Sequence, residues 1–260
     1  MKKFITNKKV LYILGIILFF VLWEVISLIV KDTTMIFPDP ISTFKEMFTM
    51  LGTSYIYKCL GWSLLRTLEG FVIATLLALI VGVLAGTYKS FQHLLKPTMT
   101  ALKAIPTACM VFLFLVLIGA KNAPILIVSL ISFPILYEAV LGGMNSADVA
   151  TLDALDLEVG KKSWSSIFHV RLPLATPFLL VGIASSFALS FKIEIMAEII
   201  AGSTKPGLGS AIKYASVNDP SNMVPIFAYS LIAIILILIV SLLASLVKKK
   251  SSKEHKKRPY

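Results

Sequence analysis

Two carboxylates, Glu194 and Glu198, stand four residues apart inside a long apolar run, and Lys192 precedes them by two and six positions. On a helix, residues four apart share a face, whereas residues two or six apart do not, so Lys192 can neutralise neither acid. Arg66 and Glu69 lie three apart in another apolar run and can neutralise one another. Glu24, Lys103 and Glu138 are further charges within or at the ends of such runs. Each ionised group at the centre of a membrane helix costs about 2.5 to 3.5 kcal/mol unless it is paired or wetted. The Glu194 and Glu198 stripe therefore needs water or a partner chain, and is expected to face a subunit interface or an aqueous pathway. Glu194 is expected on the pathway and Glu198 nearer the external end; Arg66 and Glu69 join the same candidate set, with a purely structural pair as the equal alternative. Hydrolytic chemistry has little to work with. His93 and His169 flank apolar runs and His255 lies in the tail, so no nucleophile, base and metal cluster forms. No Gly-x-x-x-x-Gly-Lys-Ser/Thr loop occurs to cradle a nucleotide. Cys59 and Cys109 have no metal-ligand spacing and make no disulfide framework.

The elements that carry these charges are set by composition. Of the 260 residues 57% are hydrophobic and only 15% charged, with a mean hydropathy of +0.86, far from the balance that solvates a soluble surface. Apolar segments fall at residues 10–30, 64–87, 98–119, 123–142, 173–201 and 223–247, each near or above the roughly 20 residues that cross a hydrocarbon core. Backbone amides in lipid must be satisfied within a segment, and the alternation of barrel strands is absent, so an all-α membrane protein of six transmembrane helices is predicted. The basic start, residues 1–9, resembles that of a secretory signal, but the first apolar run is too long and lacks a small-x-small cleavage site; it reads as a retained anchor. Pro106, Pro124 and Pro134 are compatible with kinks in spans three and four, and equally with static packing.

Six spans place both termini on one side. With the N-terminus inside, 16 of the 25 lysines and arginines fall on inside segments and six outside, the other three being Arg66, Lys103 and Lys192. That excess predicts an N-in, C-in topology with a basic cytoplasmic tail at residues 248–260. The net charge of +11 is then topology and contact with anionic lipid of the bilayer; no nucleic-acid partner is expected, since no basic and aromatic module accompanies it. Residues 144–172 form the one long polar break on the cytoplasmic side. In its first half Val149, Leu152, Leu155 and Val159 fall at helical spacing, with Asp148, Asp153, Asp156 and Glu158 largely elsewhere on the wheel. Gly160 sits where a helix ends, Ser163 can cap a second short helix, and Pro173 opens the next span. A helix pair around a glycine elbow, carrying Lys161, Trp164, Ile167 and Phe168, suits a groove on a cytosolic partner. An amphipathic linker on the inner leaflet is the other reading.

In "VGKKSWSSIFHVRLP", Gly160, Val170, Leu172 and Pro173 stand at the spacing of the cytoplasmic loop signature of binding-protein-dependent ABC importers. Ala154, Leu155 and Asp156 replace its leading Glu-Ala-Ala. "FPDP" at 37–40, "SLLRTLEGF" at 63–71, "KAIPTACMVFLFLVLIG" at 103–119 and "AEIIAGSTKPGLG" at 197–209 follow in order. Together they resemble the membrane subunit of the sulfonate, taurine, nitrate and thiamine-precursor branch. The resemblance implies a type I importer transmembrane domain that forms the translocation pathway as a homodimer. It also implies coupling through residues 144–172 to two copies of a cytosolic ABC ATPase, with Asp153, Asp156, Glu158, Gly160, Lys161, Trp164, Ile167, Phe168, Leu172 and Pro173 at the contact. ATP and magnesium are then held by the ATPase and no cofactor by this chain. An extracellular substrate-binding protein is implied as a further partner, facing the turn-rich external loop 202–222. A heterodimer with a similar subunit, a self-sufficient secondary transporter of a small solute and a membrane-embedded enzyme are the alternatives; the last two lack the internal repeat or the catalytic cluster they require.

Overall fold

The computed structural model describes residues 8–30, 37–145, 172–202 and 205–256. Every regular element among them is an α-helix: α1 (Lys8–Val30), α2 (Pro40–Leu51), α3 (Ser54–Thr87), α4 (Lys89–Ala104), α5 (Thr107–Ile118), α6 (Ala123–Met144), α7 (Leu172–Ala201), α8 (Leu208–Asn218) and α9 (Val224–Lys256). Five are long and apolar enough to cross a membrane, and six spans result if the α4 and α5 pair counts as one.

In that pair the kink for which Pro106 allows in the third span is a full break. α4 and α5 meet at 94°. Pro106 holds Ile105 in extended backbone at φ −71° and ψ 125°, because its ring excludes the helical region for the residue before it and it has no amide to continue the ladder. α5 alone has 12 residues, about 18 Å at 1.5 Å per residue, short of a crossing. Pro134, by contrast, is accommodated inside an unbroken α6, and Pro124 sits in its first turn.

α3, α6 and α7 form the centre of the bundle, α9 runs along α7 and α2, and α5 flanks α6 and α7. Lipid supplies no hydrophobic force between helices, so close approach of small residues does the packing. On α3 the buried Ser63, Thr67, Gly70, Ala74, Ala78, Gly82 and Ala85 recur every three or four residues, and a Cβ on Gly70 or Gly82 would stand 2.9 or 2.8 Å from the Val128 or Val140 side chain of α6. Four apolar clusters join these helices, the smallest around Val140 and Met144. Of the other three, one gathers Met47, Ile56, Phe191, Ile195, Leu208 and Ile232, the second Phe71, Ala78, Met99 and Leu136, and the third Val111, Ile127, Val128, Ile193 and Ala197.

α1 is tied through the residues after it. The Trp23 indole N–H donates to the Pro38 carbonyl at 3.0 Å and the Ser27 hydroxyl to that of Phe37 at 3.2 Å. Asp39 caps α2 by accepting the Ser42 amide at 2.8 Å, which holds its carboxyl below the usual range, and Pro40 opens the helix where no amide is needed.

The segment after α7 is more than the plain connection that its turn residues suggest. Gly202, at φ +66°, ends α7 in the left-handed region, and α8 then buries Leu208, Gly209, Ala211 and Ile212.

Candidate functional site

Glu198 is fully buried and its carboxylate collects three partners within this one chain, Arg66, Ser63 and the Gly209 amide. The Arg66 guanidinium of α3 forms an ion pair with it through Nη1. The Ser63 hydroxyl, one turn earlier on the same helix face, lies 2.9 Å from both carboxylate oxygens. The Gly209 amide donates to Oε2 at 2.8 Å, and the Leu208 amide donates to Ser63 Oγ at 2.9 Å. Leu208 and Gly209 are the first two residues of α8, whose opening amides have no partner in their own helix. Glu198 and Ser63 thus cap α8 from a distance, with the anion at the positive end of its dipole. Arg66 Nη2 completes the knot by donating to the Lys205 and Pro206 carbonyls, each at 3.3 Å.

Two glycines permit this approach. A Cβ at Gly207 would fall on the Glu198 carboxylate, and one at Gly209 on the Ile195 carbonyl and Glu198 Cβ. The knot therefore needs Pro-Gly-Leu-Gly at 206–209, Ser63 and Arg66 three apart on α3, and Glu198 near the end of α7.

These contacts correct two expectations. Arg66 pairs with Glu198, 132 positions away, and not with its neighbour Glu69, which is exposed. Glu198 requires neither water nor a second chain, because α3 and α8 reach it inside the bundle. Glu194 is equally buried, on the same face of α7, and neither of its oxygens accepts a hydrogen bond from a described residue. Arg66, Glu194 and Glu198 consequently lie inside the subunit, while Glu69 alone of the four faces outward. It borders a polar hollow of about 210 Å³ with Trp62, Arg66, Lys121, Asn122 and Lys205, in which the Lys205 ammonium stands 4.0 Å from the Trp62 ring centre, a cation-π distance.

Two further charges meet at the α4 and α5 bend. Lys103, in the last turn of α4, bonds Glu138 of α6 at 2.5 Å, with both side chains about half exposed. Deeper in the bundle, Ser132 and Ser190 join α6 to α7 at 2.6 Å, and Ser129 ties α6 to the Gly70 carbonyl of α3 at 3.0 Å.

Of the cytoplasmic-loop candidates, Leu172 and Pro173 open α7, the proline in the first turn where its missing amide costs nothing. Asp153, Asp156, Glu158, Gly160, Lys161, Trp164, Ile167 and Phe168 lie outside the described residues. Sequence reasoning missed Ser63, Leu208 and Gly209 as partners of Glu198. The signal that could have found them is the pairing of Ser-Leu-Leu-Arg at 63–66 with Pro-Gly-Leu-Gly at 206–209, both beside a buried acid.

Residues 74–253 match the family described as the inner membrane component of binding-protein-dependent transport systems. The chain belongs to that family. It is 28% identical over 191 residues to a probable ABC transporter permease protein of Brucella melitensis, covering 73% of this chain and 76% of the relative. It is 27% identical to the putative aliphatic sulfonates transport permease protein SsuC of Bacillus subtilis, covering 78% and 73%. It is likewise 27% identical to the bicarbonate transport system permease protein CmpB of Synechococcus elongatus, covering 72% and 70%. Among solved structures, the fold is similar to that of an amino acid ABC transporter crystallised with histidines, with TM-score 0.63, 18% identity, and 82% and 99% of the two chains covered. It is also similar to that of the MetNI methionine ABC transporter in inward-facing conformations, with TM-score 0.58, 16% identity, and 75% and 94% covered. This chain is thus the multi-pass permease subunit of a binding-protein-dependent ABC importer of the cell membrane, with the type I importer fold. ATP hydrolysis belongs to a separate subunit, and an ATPase and a substrate-binding protein are its family's partners.

Proposed function

We propose that two copies of this permease line one translocation pathway. Each is seated through residues 144–172 on one copy of the ATPase, with both termini cytoplasmic and residues 202–222 turned outward toward the binding protein. ATP and magnesium are held by the ATPase, and this chain holds no cofactor. The observation that carries the reading is the family match across residues 74–253, which runs through the polar break where Gly160, Val170, Leu172 and Pro173 keep the family's spacing. Membership of that family replaces the alternative of a self-sufficient secondary transporter. Asp153, Asp156, Glu158, Lys161, Trp164, Ile167 and Phe168 are assigned to the ATPase contact, with aromatic anchors at its centre and charges at its rim. Glu69 is assigned to the mouth of the pathway, because it is the exposed acid beside the polar hollow. The same reading places Glu194 and Glu198 in the subunit that frames the pathway, not on its wall.

The test is a pair of substitutions in the loop. Gly160→Pro removes the elbow and Trp164→Asp puts a charge in the anchor. Each is expected to leave the permease in the membrane at wild-type level while abolishing substrate-dependent ATPase activity of the reconstituted complex. Full coupling in both variants would instead make residues 144–172 a linker on the inner leaflet.

A further inference from the structure

Helix α4 lies across the direction of its neighbours. Only Tyr88 separates it from α3, and Gly86 near the end of α3 sits against Met144, since a Cβ there would stand 2.6 Å from the Met144 Cβ. The start of α4 is therefore level with the end of α6 from which residues 144–172 depart. Its last turn is held by the Lys103 and Glu138 pair, and Glu138 precedes Met144 by six residues, about 9 Å at 1.5 Å per residue. α4 itself has 16 residues, about 24 Å. It climbs about 9 Å over that length, a slope of roughly 20°, and its 94° turn into α5 agrees. The climb of α4 and the about 18 Å of α5 together approach the ~30 Å of a hydrocarbon core, so the third crossing is built from both.

The faces of α4 are divided to match that position. Phe91, Leu95, Met99 and Leu102, spaced by four, four and three residues, turn to the cluster of α3 and α6. Lys89, His93, Lys96, Thr100 and Lys103 follow the same rhythm on a second face and are all exposed. Lys103 has its partner in Glu138, whereas no acid among the described residues pairs with Lys89 or Lys96. A third side carries Leu94, 69% exposed, and the exposed Ala101 seven residues on. A nearly flat helix at the level of the helix ends, with a basic stripe beside a free apolar side, has the chemistry of a bilayer interface, where phosphates meet ammonium groups and acyl chains meet leucine. Resting on the cytoplasmic orientation given above, we propose that α4 is an interfacial helix of the inner leaflet, and that Lys89 and Lys96 bind the headgroup phosphate of an anionic diacyl phospholipid. The lipid then braces the inner half of the third crossing, which α5 is too short to make by itself.

The test uses the complete complex with its ATPase and has two arms. In the first, the complex in lipid nanodiscs carries a spin label at Leu94→Cys or Ala101→Cys, in a Cys59→Ala and Cys109→Ser background. The two positions are about 10 Å apart along the helix, and their immersion depths are expected to differ by less than half of that. A difference of about 10 Å means that α4 stands across the membrane and overturns the interfacial helix. In the second, thermal melts of the detergent-solubilised complex are titrated with dioleoylphosphatidylglycerol, which is expected to raise the melting temperature. The double variant Lys89→Gln and Lys96→Gln is expected to raise the half-saturating lipid concentration roughly 25-fold, about fivefold for each lysine. Lys256→Gln with Lys257→Gln, an equal loss of charge in the tail, is expected to change it less than twofold. An equal effect of the tail variant, an equal stabilisation by dioleoylphosphatidylcholine or by free glycerol phosphate, or no stabilisation of the wild type overturns the lipid site. Loss of the ATPase from the α4 double variant with an unchanged lipid response makes the stripe a protein contact, and overturns it too. Labelling of Ser90→Cys by an impermeant maleimide only from the face opposite the ATPase would instead contradict the orientation given above, and with it the assignment to the inner leaflet.

Discussion

At the scale of single residues, the knot around Glu198 sets the order of sensitivity. Removing one partner of a buried ion pair leaves the other charge unpaired and costs about 3 to 5 kcal/mol, whereas removing both charges costs far less. Arg66→Leu is therefore expected to destabilise the detergent-purified permease strongly. Adding Glu198→Gln should restore more than half of the lost thermal stability, because the amide oxygen still accepts from Gly209 and the stranded charge is gone. A thermal melt of the two variants beside wild type checks this, and a double variant no more stable than Arg66→Leu would mean that the pair is not the source of the loss. The residue-level chemistry was half legible. That two acids four apart on α7 could not be served by Lys192 followed from helical spacing. That Arg66 would cross to Glu198 did not, since the competing partner Glu69 sits three residues away and the true one 132; only the packing of α3 against α7 decides between them.

At the scale of elements, turn chemistry carries more than the hydropathy pattern does. Five apolar runs became long helices, because each is long enough and apolar enough to satisfy its backbone in lipid. The third run broke at Pro106, where a backbone restriction of one residue overrides a continuous apolar pattern. Helix α8 was hidden for the opposite reason: Pro206, Gly207 and Gly209 read as a loop, but the glycines serve close approach to Glu198 and Ile195. Gly209→Ala is expected to lower thermal stability by an overpacking cost of about 1 to 3 kcal/mol, since it meets the Ile195 carbonyl, the Ile199 amide and the Cβ of Glu198, none of which can swing away. Gly61→Ala on α3 meets nothing within 4 Å, and is expected to be neutral or to stabilise by up to about 1 kcal/mol through helix propensity. Paired melts decide the matter. Equal effects at the two sites would mean that the glycines of α8 are there for turn formation alone.

At the scale of the whole molecule, the family was legible in the sequence from the spacing of Gly160, Val170, Leu172 and Pro173 together with the ordered motifs around Arg66 and Glu198. What a single chain could not reveal is which of its charged faces lies against another copy. Hydropathy counts Lys192, Lys103 and Glu138 alike as charges in apolar runs, yet packing gives Lys103 a partner on α6 and leaves Lys192 on a bare stripe. A bare stripe with a charge at mid-membrane has meaning in an assembly, and the assembly proposed above has two equal subunits, each with its own ATPase, around one axis. The mass of the intact complex, purified through a tag on this chain and measured by native mass spectrometry, tests that assembly most directly. The expected mass contains two copies of the 28.5 kDa chain and two ATPase subunits. A complex with one copy of this chain beside a second, different permease, or one with no ATPase, would contradict it.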